Sequence, residues 1–259
     1  MKFEKKLGQN FLINKTALKK ITEVLNICED EIVVEIGAGS GNLTKELLKK
    51  TSRVIAIEKD KNWAAFLRKS LNLKKDDFPQ IIEGDVRDVL EEISGKYQKY
   101  KIVGNIPYYL SGQLLRIFQK LANPPKLIIL TLQKEVAQKI IASPPRFNQL
   151  AAIVQLWSKA KILFNLKPKD FYPSPKVSSA VVKFEVLPLE KRLKNENKII
   201  EFLKIAYRQP RKTILNNLSR KFDKSKVENA LNKLRLDRKT RPANLSLSLW
   251  ISLIKKFYS

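Results

Sequence analysis

The sequence predicts an α/β protein with a mostly parallel sheet that ends in an antiparallel hairpin, followed by a small all-α domain. Three observations carry this. Short, β-branched apolar runs alternate with helical stretches through the first half of the chain, the pattern of a parallel sheet covered by helices. Two later strand patterns are joined by a proline-rich loop with no helix between them. After Val186 the strand patterns stop and short basic helices take over.

Taken in order, residues 14–26 (NKTALKKITEVLN) place Leu18, Ile21, Val24 and Leu25 at helical spacing, with Asn14 as cap. Five strands follow at 31–36 (EIVVEI), 53–58 (RVIAIE), 80–85 (QIIEGD), 101–106 (KIVGNI) and 126–132 (KLIILTL). Helical stretches such as 42–50, 62–71 and 112–121 lie between them. Strands at 160–166 and 178–186 form the expected edge hairpin, which closes a catalytic domain of residues 1–186. Residues 187–196 read as a linker. Residues 197–259 read as a helical domain with helices at 198–208, 211–221, 226–234 and 246–257. Pro210 is expected to separate the first two of these and to open the second at its first turn.

Composition narrows the partners. The 259 residues carry 51 Lys and Arg against 25 Asp and Glu, a formal net charge of +26. A field of that size attracts polyanions. Nucleic acid explains it better than a lysine-rich surface alone, and better than a membrane, since no polybasic run adjoins an apolar anchor. With no histidine at all, His triads, His general bases and His-ligated zinc are excluded. The single cysteine, Cys28, makes neither an internal disulfide nor a multi-Cys metal site and reads as a small apolar filler. No metal site is expected. No run is long enough to span a membrane and the N-terminus lacks a signal-peptide core, so a cytoplasmic protein is expected.

The first site motif is Glu35-Ile-Gly-Ala-Gly-Ser-Gly-Asn-Leu-Thr44, where a strand ends, glycines turn and a helix begins. Glycines there let the backbone approach a ligand at the carboxyl end of the strand. Gly37, Gly39 and Gly41 give G-x-G-x-G; the dinucleotide fingerprint needs its third glycine where Asn42 stands, which weakens a nicotinamide reading. Glu58 ends the next strand about twenty residues on, placed to accept hydrogen bonds from a ribose diol. Asp85 ends the third strand. Gly, Glu and Asp on three successive strand ends point to an adenosine-containing cofactor.

The fourth strand ends in Gly104-Asn-Ile-Pro-Tyr-Tyr109. An adenine amine is a poor nucleophile because its lone pair is delocalised into the ring. The Asn105 side-chain oxygen and a backbone carbonyl can accept the two amine hydrogens and stabilise the charge gained during attack. Pro107 fixes the backbone and Tyr108 can stack on the base. No general base of matched pKa is needed, which suits a chain without histidine.

With these residues in place, the sequence resembles the ribosomal RNA adenine N6,N6-dimethyltransferases, which modify two adjacent adenosines near the 3′ end of small-subunit ribosomal RNA. The resemblance covers nearly the whole chain. It rests on Leu7-Gly-Gln-Asn-Phe-Leu12, the glycine loop, Ala56-Ile-Glu58, Gly84-Asp85 and residues 104–111. Leu132-Gln-Lys-Glu-Val-Ala137, Phe171-Tyr-Pro-Ser-Pro-Lys-Val177, Arg211-Lys-Thr-Ile-Leu-Asn-Asn-Leu218 and the stretch from Arg241 to Leu245 extend it. It implies a Rossmann-like class I methyltransferase domain that uses S-adenosyl-L-methionine. It further implies that Asn10 and Leu12 touch the cofactor, Gly37 lies against its methionine portion, Glu58 binds the ribose, and Asp85 lies by the cofactor adenine; Gly39 is expected to bind the cofactor as well. Asn105 would sit where cofactor and target meet, with Tyr108 and Phe171 sandwiching the flipped base. Arg208, Arg211, Lys212, Arg220 and Lys221 are the expected phosphate contacts. The implied partner is small-subunit ribosomal RNA within an immature ribosomal subunit, bound by a monomer. Tyr109, Asn148 and Pro210 depart from the family's usual residues, and none is a methyl-transfer residue. The central motifs also fit resistance methyltransferases of large-subunit RNA; the segments at 133–137, 211–218 and 241–246 favour the small-subunit branch. A non-catalytic assembly or transcription factor on the same fold is the alternative of a different class. A DNA adenine methyltransferase fits less well, because the tetrapeptide is Asn-Ile-Pro-Tyr rather than Asp-Pro-Pro-Tyr.

Overall fold

The structure is a computed structural model that describes residues 10–72 and 78–258. A two-residue strand β1 (Phe11–Leu12) leads into helix α1 (Lys15–Leu25), which Asn14 caps by accepting from the Ala17 amide. Then β2 (Ile32–Ile36), α2 (Asn42–Leu48), β3 (Val54–Glu58), α3 (Lys61–Ser70), β4 (Gln80–Glu83), α4 (Val86–Lys96) and β5 (Tyr100–Asn105) alternate. After them come α5 (Ser111–Lys120), β6 (Leu127–Gln133), α6 (Lys134–Ile140), α7 (Gln149–Trp157), β7 (Ser158–Leu166), β8 (Phe171–Tyr172) and β9 (Ser179–Val186). The chain closes with α8 (Glu196–Ala206), α9 (Ile214–Leu218), α10 (Lys224–Lys233) and α11 (Leu247–Tyr258).

Seven strands form one sheet in the order β4-β3-β2-β5-β6-β9-β7. Pairs β4/β3, β3/β2, β2/β5 and β5/β6 are parallel, and β6/β9 is antiparallel. The expected edge pair is present, with β9 between β6 and the outermost β7. The chain runs outward from β2 through β3 to β4, then returns to the other side of β2 as β5. Strand order therefore reverses between β2 and β5, and the carboxyl ends of β2, β3, β4 and β5 share one rim. Such a reversal opens a crevice in a parallel sheet. Both faces of β2 and β3 are buried, which is why these strands read as unbroken apolar runs.

The chain divides into two compact units: residues 1–137 with 159–188, and residues 138–158 with 189–259. The second unit thus includes α7 from before the last strands, a segment the sequence division at 187–196 assigns to the sheet domain. Its core joins Ala151, Ala152 and Leu156 to Phe202, Leu203, Leu218, Leu231, Trp250 and Phe257. Trp250 Nε1 donates to the Tyr207 hydroxyl, which donates to the Pro242 carbonyl, so the buried polar tips are satisfied.

Two local expectations are corrected. Pro210 does not open a helix. The segment before Ile214 is a turn, and α9 starts later with Thr213 as its cap, accepting from the Asn216 amide. Cys28 is exposed rather than a core filler, because Asn26 takes a left-handed conformation that ends α1 and turns the following loop outward. No helix among the described residues is long and apolar enough to cross a membrane.

Candidate active site

The shared rim of β2–β5 opens into a cleft lined by Gly37, Gly39, Glu58, Asp85, Asn105 and Pro107, together with Asn10, Phe11, Tyr108 and Tyr109. The residues come from strand ends because the register is parallel: Ile36 pairs with Ile57 and Gly104, and Glu58 pairs with Glu83. Two glycines show why no side chain is tolerated beside it. Gly39 has φ +52°, and a Cβ there would lie 2.4 Å from the Phe11 ring. A Cβ on Gly104 would lie 2.7 Å from the Ile36 carbonyl oxygen.

Glu58 is 7 % exposed. Its Oε2 accepts from the Gly39 amide at 2.7 Å and its Oε1 from the Asp60 amide at 2.8 Å. Burial still pushes its carboxyl above the ordinary range, so further hydroxyl donors in the cleft would stabilise the anion. A carboxylate has about four lone-pair sites, and two of them are used by these amides. That donor set and the bare Gly39 backbone suit a ribose diol beside the glycine loop.

Beneath the cleft, Glu35 on β2 is fully buried and its Oε2 has no hydrogen-bond partner. Burial pushes it up to about 7, the charge of Glu58 adds to the rise, and Thr44 draws it part of the way back. Burial thus biases the Glu35 carboxyl toward its neutral form, which limits negative charge behind the cleft.

Asp85 is more engaged than a simple adenine acceptor. It caps α4 through the Arg87 amide, pairs with the Arg87 guanidinium at Nε (2.8 Å) and Nη2, and takes Lys59 Nζ at 3.0 Å. The Arg87 hydrogen bonds, then Lys59, hold its carboxyl well below the usual range against some desolvation. Sequence reading missed both cations, since neither belongs to a strand-end motif.

Asn105 ends β5, and its Nδ2 donates to the Asn10 carbonyl at 2.7 Å. A carbonyl can only accept, so this contact fixes which end of the amide is which. Oδ1 is then the atom available to accept a hydrogen from a ligand. Pro107 follows in extended backbone (φ −56°, ψ 133°) and starts the single turn Tyr108–Leu110. The Tyr108 hydroxyl lies 2.7 Å from Ser179 Oγ, a buried residue of β9, so the ring is anchored at both ends. Burial raises its hydroxyl above the ordinary range.

Two predicted residues are not brought to the cleft. Phe171 is 2 % exposed and packs in the sheet unit's core with Leu12, Leu18 and Val181. In β8 the side chains alternate, so Phe171 faces inward and Tyr172, at 57 % exposure, faces out. The Leu12 side chain shares that core, and its carbonyl accepts from Asn42 Nδ2. Asn10 does line the cleft. Leu7, Gly8 and Gln9 lie outside the described residues. Among the described residues no group of three or more His, Cys, Asp and Glu could hold a metal ion.

This geometry can be set beside known proteins. The family model for ribosomal RNA adenine dimethylase matches residues 1–258. The chain belongs to the ribosomal RNA adenine dimethylase family. Similar relatives are the proteins named ribosomal RNA small subunit methyltransferase A of Mycoplasma mycoides subsp. mycoides SC and of Ureaplasma parvum serovar 3. The first is 32 % identical over 266 residues, covering 100 % of this chain and 99 % of the relative. The second is 36 % identical over 260 residues, covering 96 % and 91 %. A dimethyladenosine transferase from Plasmodium falciparum superposes with a TM-score of 0.80 at 26 % identity, covering 96 % of this chain and 97 % of that one. The 23S rRNA methyltransferase ErmE gives 0.75 at 22 % identity, covering 96 % and 100 %, and bears on the fold alone. The methyltransferase-type α/β fold of the family is the fold described above.

In the second unit, Arg208, Arg211, Lys212, Arg220 and Lys221 are all exposed. Lys212 and Arg220 line one surface pocket with Gln209, Asn216, Ser219 and Lys224; Arg208, Arg211 and Lys221 do not line it. Lys224, at the start of α10, was not among the predicted phosphate contacts, and the fold brings it beside Lys212 and Arg220. The loop before α9 is held by buried Asn217. Its Oδ1 accepts from the Gln209 amide at 2.9 Å, and its Nδ2 donates to the Gln209 and Thr213 carbonyls at 3.0 Å.

Proposed function

We propose that this protein transfers methyl groups from S-adenosylmethionine to N6 of two adjacent adenosines in the 3′-terminal hairpin loop of small-subunit ribosomal RNA, yielding dimethyladenosine during ribosome biogenesis. Small-subunit ribosomal RNA is what the names of the relatives support and adenine dimethylation what the family description supports; the two adjacent positions in the 3′-terminal hairpin follow from the sequence resemblance. The observation that carries the chemistry is the polarity of Asn105: Nδ2 is committed to the Asn10 carbonyl, so Oδ1 is presented as an acceptor.

S-adenosylmethionine supplies an electrophilic methyl group. Glu58 and the Gly37–Gly39 backbone would hold its ribose and methionine portions, and Asp85, ionised and pinned by Arg87 and Lys59, would stand by its adenine. Asn105 Oδ1 accepts one N6 hydrogen of the target adenine, with a backbone carbonyl taking the other. Both contacts strengthen as the nitrogen becomes positive, so they act on the transition state more than on binding. The Tyr108 ring, tied to Ser179, gives the flipped base a fixed face. Extruding a base costs a few kcal/mol, least for an unpaired one. Stacking returns roughly 1–3 kcal/mol, which favours loop adenines. Phe171 would support this arrangement from the core beneath Leu12. In the second unit Lys212, Arg220 and Lys224 would share one backbone phosphate, while Arg208, Arg211 and Lys221 add to the field.

The test is methyl incorporation into immature small ribosomal subunits from labelled cofactor. The wild type labels the small-subunit RNA, and Asn105→Ala loses transfer while keeping cofactor binding. Unchanged transfer by Asn105→Ala would remove the assigned role.

A further inference from the structure

Asn42 stands where a dinucleotide-binding loop carries its third glycine, and neither cofactor contact nor base contact accounts for it. It is the first residue of α2, whose cap Gly41 offers no side-chain hydrogen bond. Its amide reaches back 30 residues, Nδ2 donating to the Leu12 carbonyl at 3.0 Å. The same short segment is fastened at two further points. The Ile13 amide donates to the Asp170 carbonyl at 2.9 Å, and Asn14 Nδ2 donates to Asp170 Oδ1 at 2.8 Å. Strand β1 pairs with β8 through Phe11–Tyr172 and Leu12–Phe171. Asn10, immediately before this fastened stretch, supplies the carbonyl that Asn105 Nδ2 donates to.

We infer that Asn42 is a positioning residue for methyl transfer. It ties the 10–14 segment to the glycine loop, so that the Asn10 carbonyl holds Asn105 with Oδ1 turned to the target amine. The inference rests on the proposed role of Asn105 as amine acceptor. A two-residue strand cannot fix its own position, because two residues bury little and form few ladder bonds. Its placement needs anchors beyond that pairing: Ile13 and Asn14 fasten the segment to Asp170, and Asn42 is the anchor that starts in the cofactor loop. The link would set Asn105 once the loop is in place, with no direct contact between Asn42 and either substrate. An amide that swings freely would present its nitrogen to the amine in part of the population. Two donors then face each other, and transition-state stabilisation is lost without much change in binding.

The test compares Asn42→Asp with Asn42→Ala. Both remove the donor to Leu12, and Asp is nearly isosteric. An acidic residue in the first turn favours a helix, so if Asn42 served only α2, Asn42→Asp would be as stable and as active as wild type. If Asn42 positions Asn105, both variants lose kcat by about threefold to tenfold, the range of one neutral hydrogen bond. The RNA KM and the dissociation constant of S-adenosylhomocysteine should stay within about twofold. A second readout uses the protein without ligand: hydrogen exchange of the Ile13 amide should speed up by about fivefold in both variants as the segment opens more often. Unchanged kcat in both variants, or a loss in Asn42→Ala that Asn42→Asp does not share, overturns the inference. If Asn105→Ala abolishes transfer in the same assay, the reading of Asn105 survives that result. Transfer that persists in Asn105→Ala overturns both.

Discussion

Replacing Glu35 by Gln should flatten the pH dependence of stability. Glu35 lies fully buried with Oε2 unpartnered, and its carboxyl is raised from an ordinary 4.5 to about 7 by burial first and by the charge of Glu58. An acid whose folded pKa exceeds its unfolded one binds more protons when folded. Its contribution is fully present below about 4.5 and is lost as pH rises through about 7. A shift of that size corresponds to about 3 kcal/mol at 1.36 kcal/mol per unit. Glu58 is raised in the same direction, so it steepens the fall. Gln cannot ionise. It adds a buried amide whose unmet donors cost about 1–3 kcal/mol, but that cost does not vary with pH. The stability of the wild type relative to Glu35→Gln should therefore fall by up to about 3 kcal/mol between pH 4.5 and 8.5. For a chain of this size that is roughly 6–12 °C in relative Tm. Thermal melts of both proteins at pH 4.5, 6.5 and 8.5 measure it. Curves that run parallel across that range would refute the reasoning, since Glu35 would then titrate alike in folded and unfolded chains.

Three further outcomes are expected. Phe171→Ala should destabilise the protein by about 3–5 kcal/mol as a buried aromatic, and Phe171→Leu should recover most of the stability and keep kcat within about threefold. A stable Phe171→Leu protein with kcat down a hundredfold would instead make Phe171 a stacking face. Tyr108→Phe, which loses only the Ser179 contact, should lower kcat by about twofold to tenfold, whereas Tyr108→Ala should lose up to about a hundredfold with the stacking face; equal losses would contradict the assignment. Changing Lys212, Arg220 or Lys224 singly to Gln should weaken RNA binding a few-fold and reduce the slope of log K against log salt by up to about 1. Fluorescence titrations at several salt concentrations read this, and an unchanged slope would place the phosphates elsewhere.

The centre of the sheet was legible because β2, β3 and β5 are buried along nearly their whole length and so read as continuous apolar runs that lead into residues the site uses. Gly37, Glu58, Asp85 and Asn105 share one rim for that reason. The two-residue strands β1 and β8 were not legible: they pair across about 160 residues of chain, and two residues show no period. Phe171 carried a motif but no sign of which way its ring turns, and the pairing with Leu12 decides that. Pro210 reads as a helix opener by propensity alone, yet Asn217 holds the preceding loop through Gln209 and Thr213 and delays α9 to Ile214. The cations around Asp85 were hidden for two reasons: Lys59 looks like an ordinary surface charge until the β3 and β4 ends are brought side by side, and nothing in the spacing of Arg87 shows that its guanidinium folds back on Asp85. Asn42 was visible only as a departure from another fingerprint.

The central claim is that Asn105 presents an oxygen to the amine of a ribosomal adenine. Its most direct test is mass spectrometry of small-subunit RNA from cells whose own enzyme is deleted, carrying either the wild-type chain or Asn105→Ala at equal expression. The wild type should restore N6,N6-dimethyladenosine at two adjacent positions of the 3′-terminal hairpin. Asn105→Ala should leave both unmodified. Dimethyladenosine at wild-type levels in the variant, or modification confined to large-subunit RNA, would contradict the account.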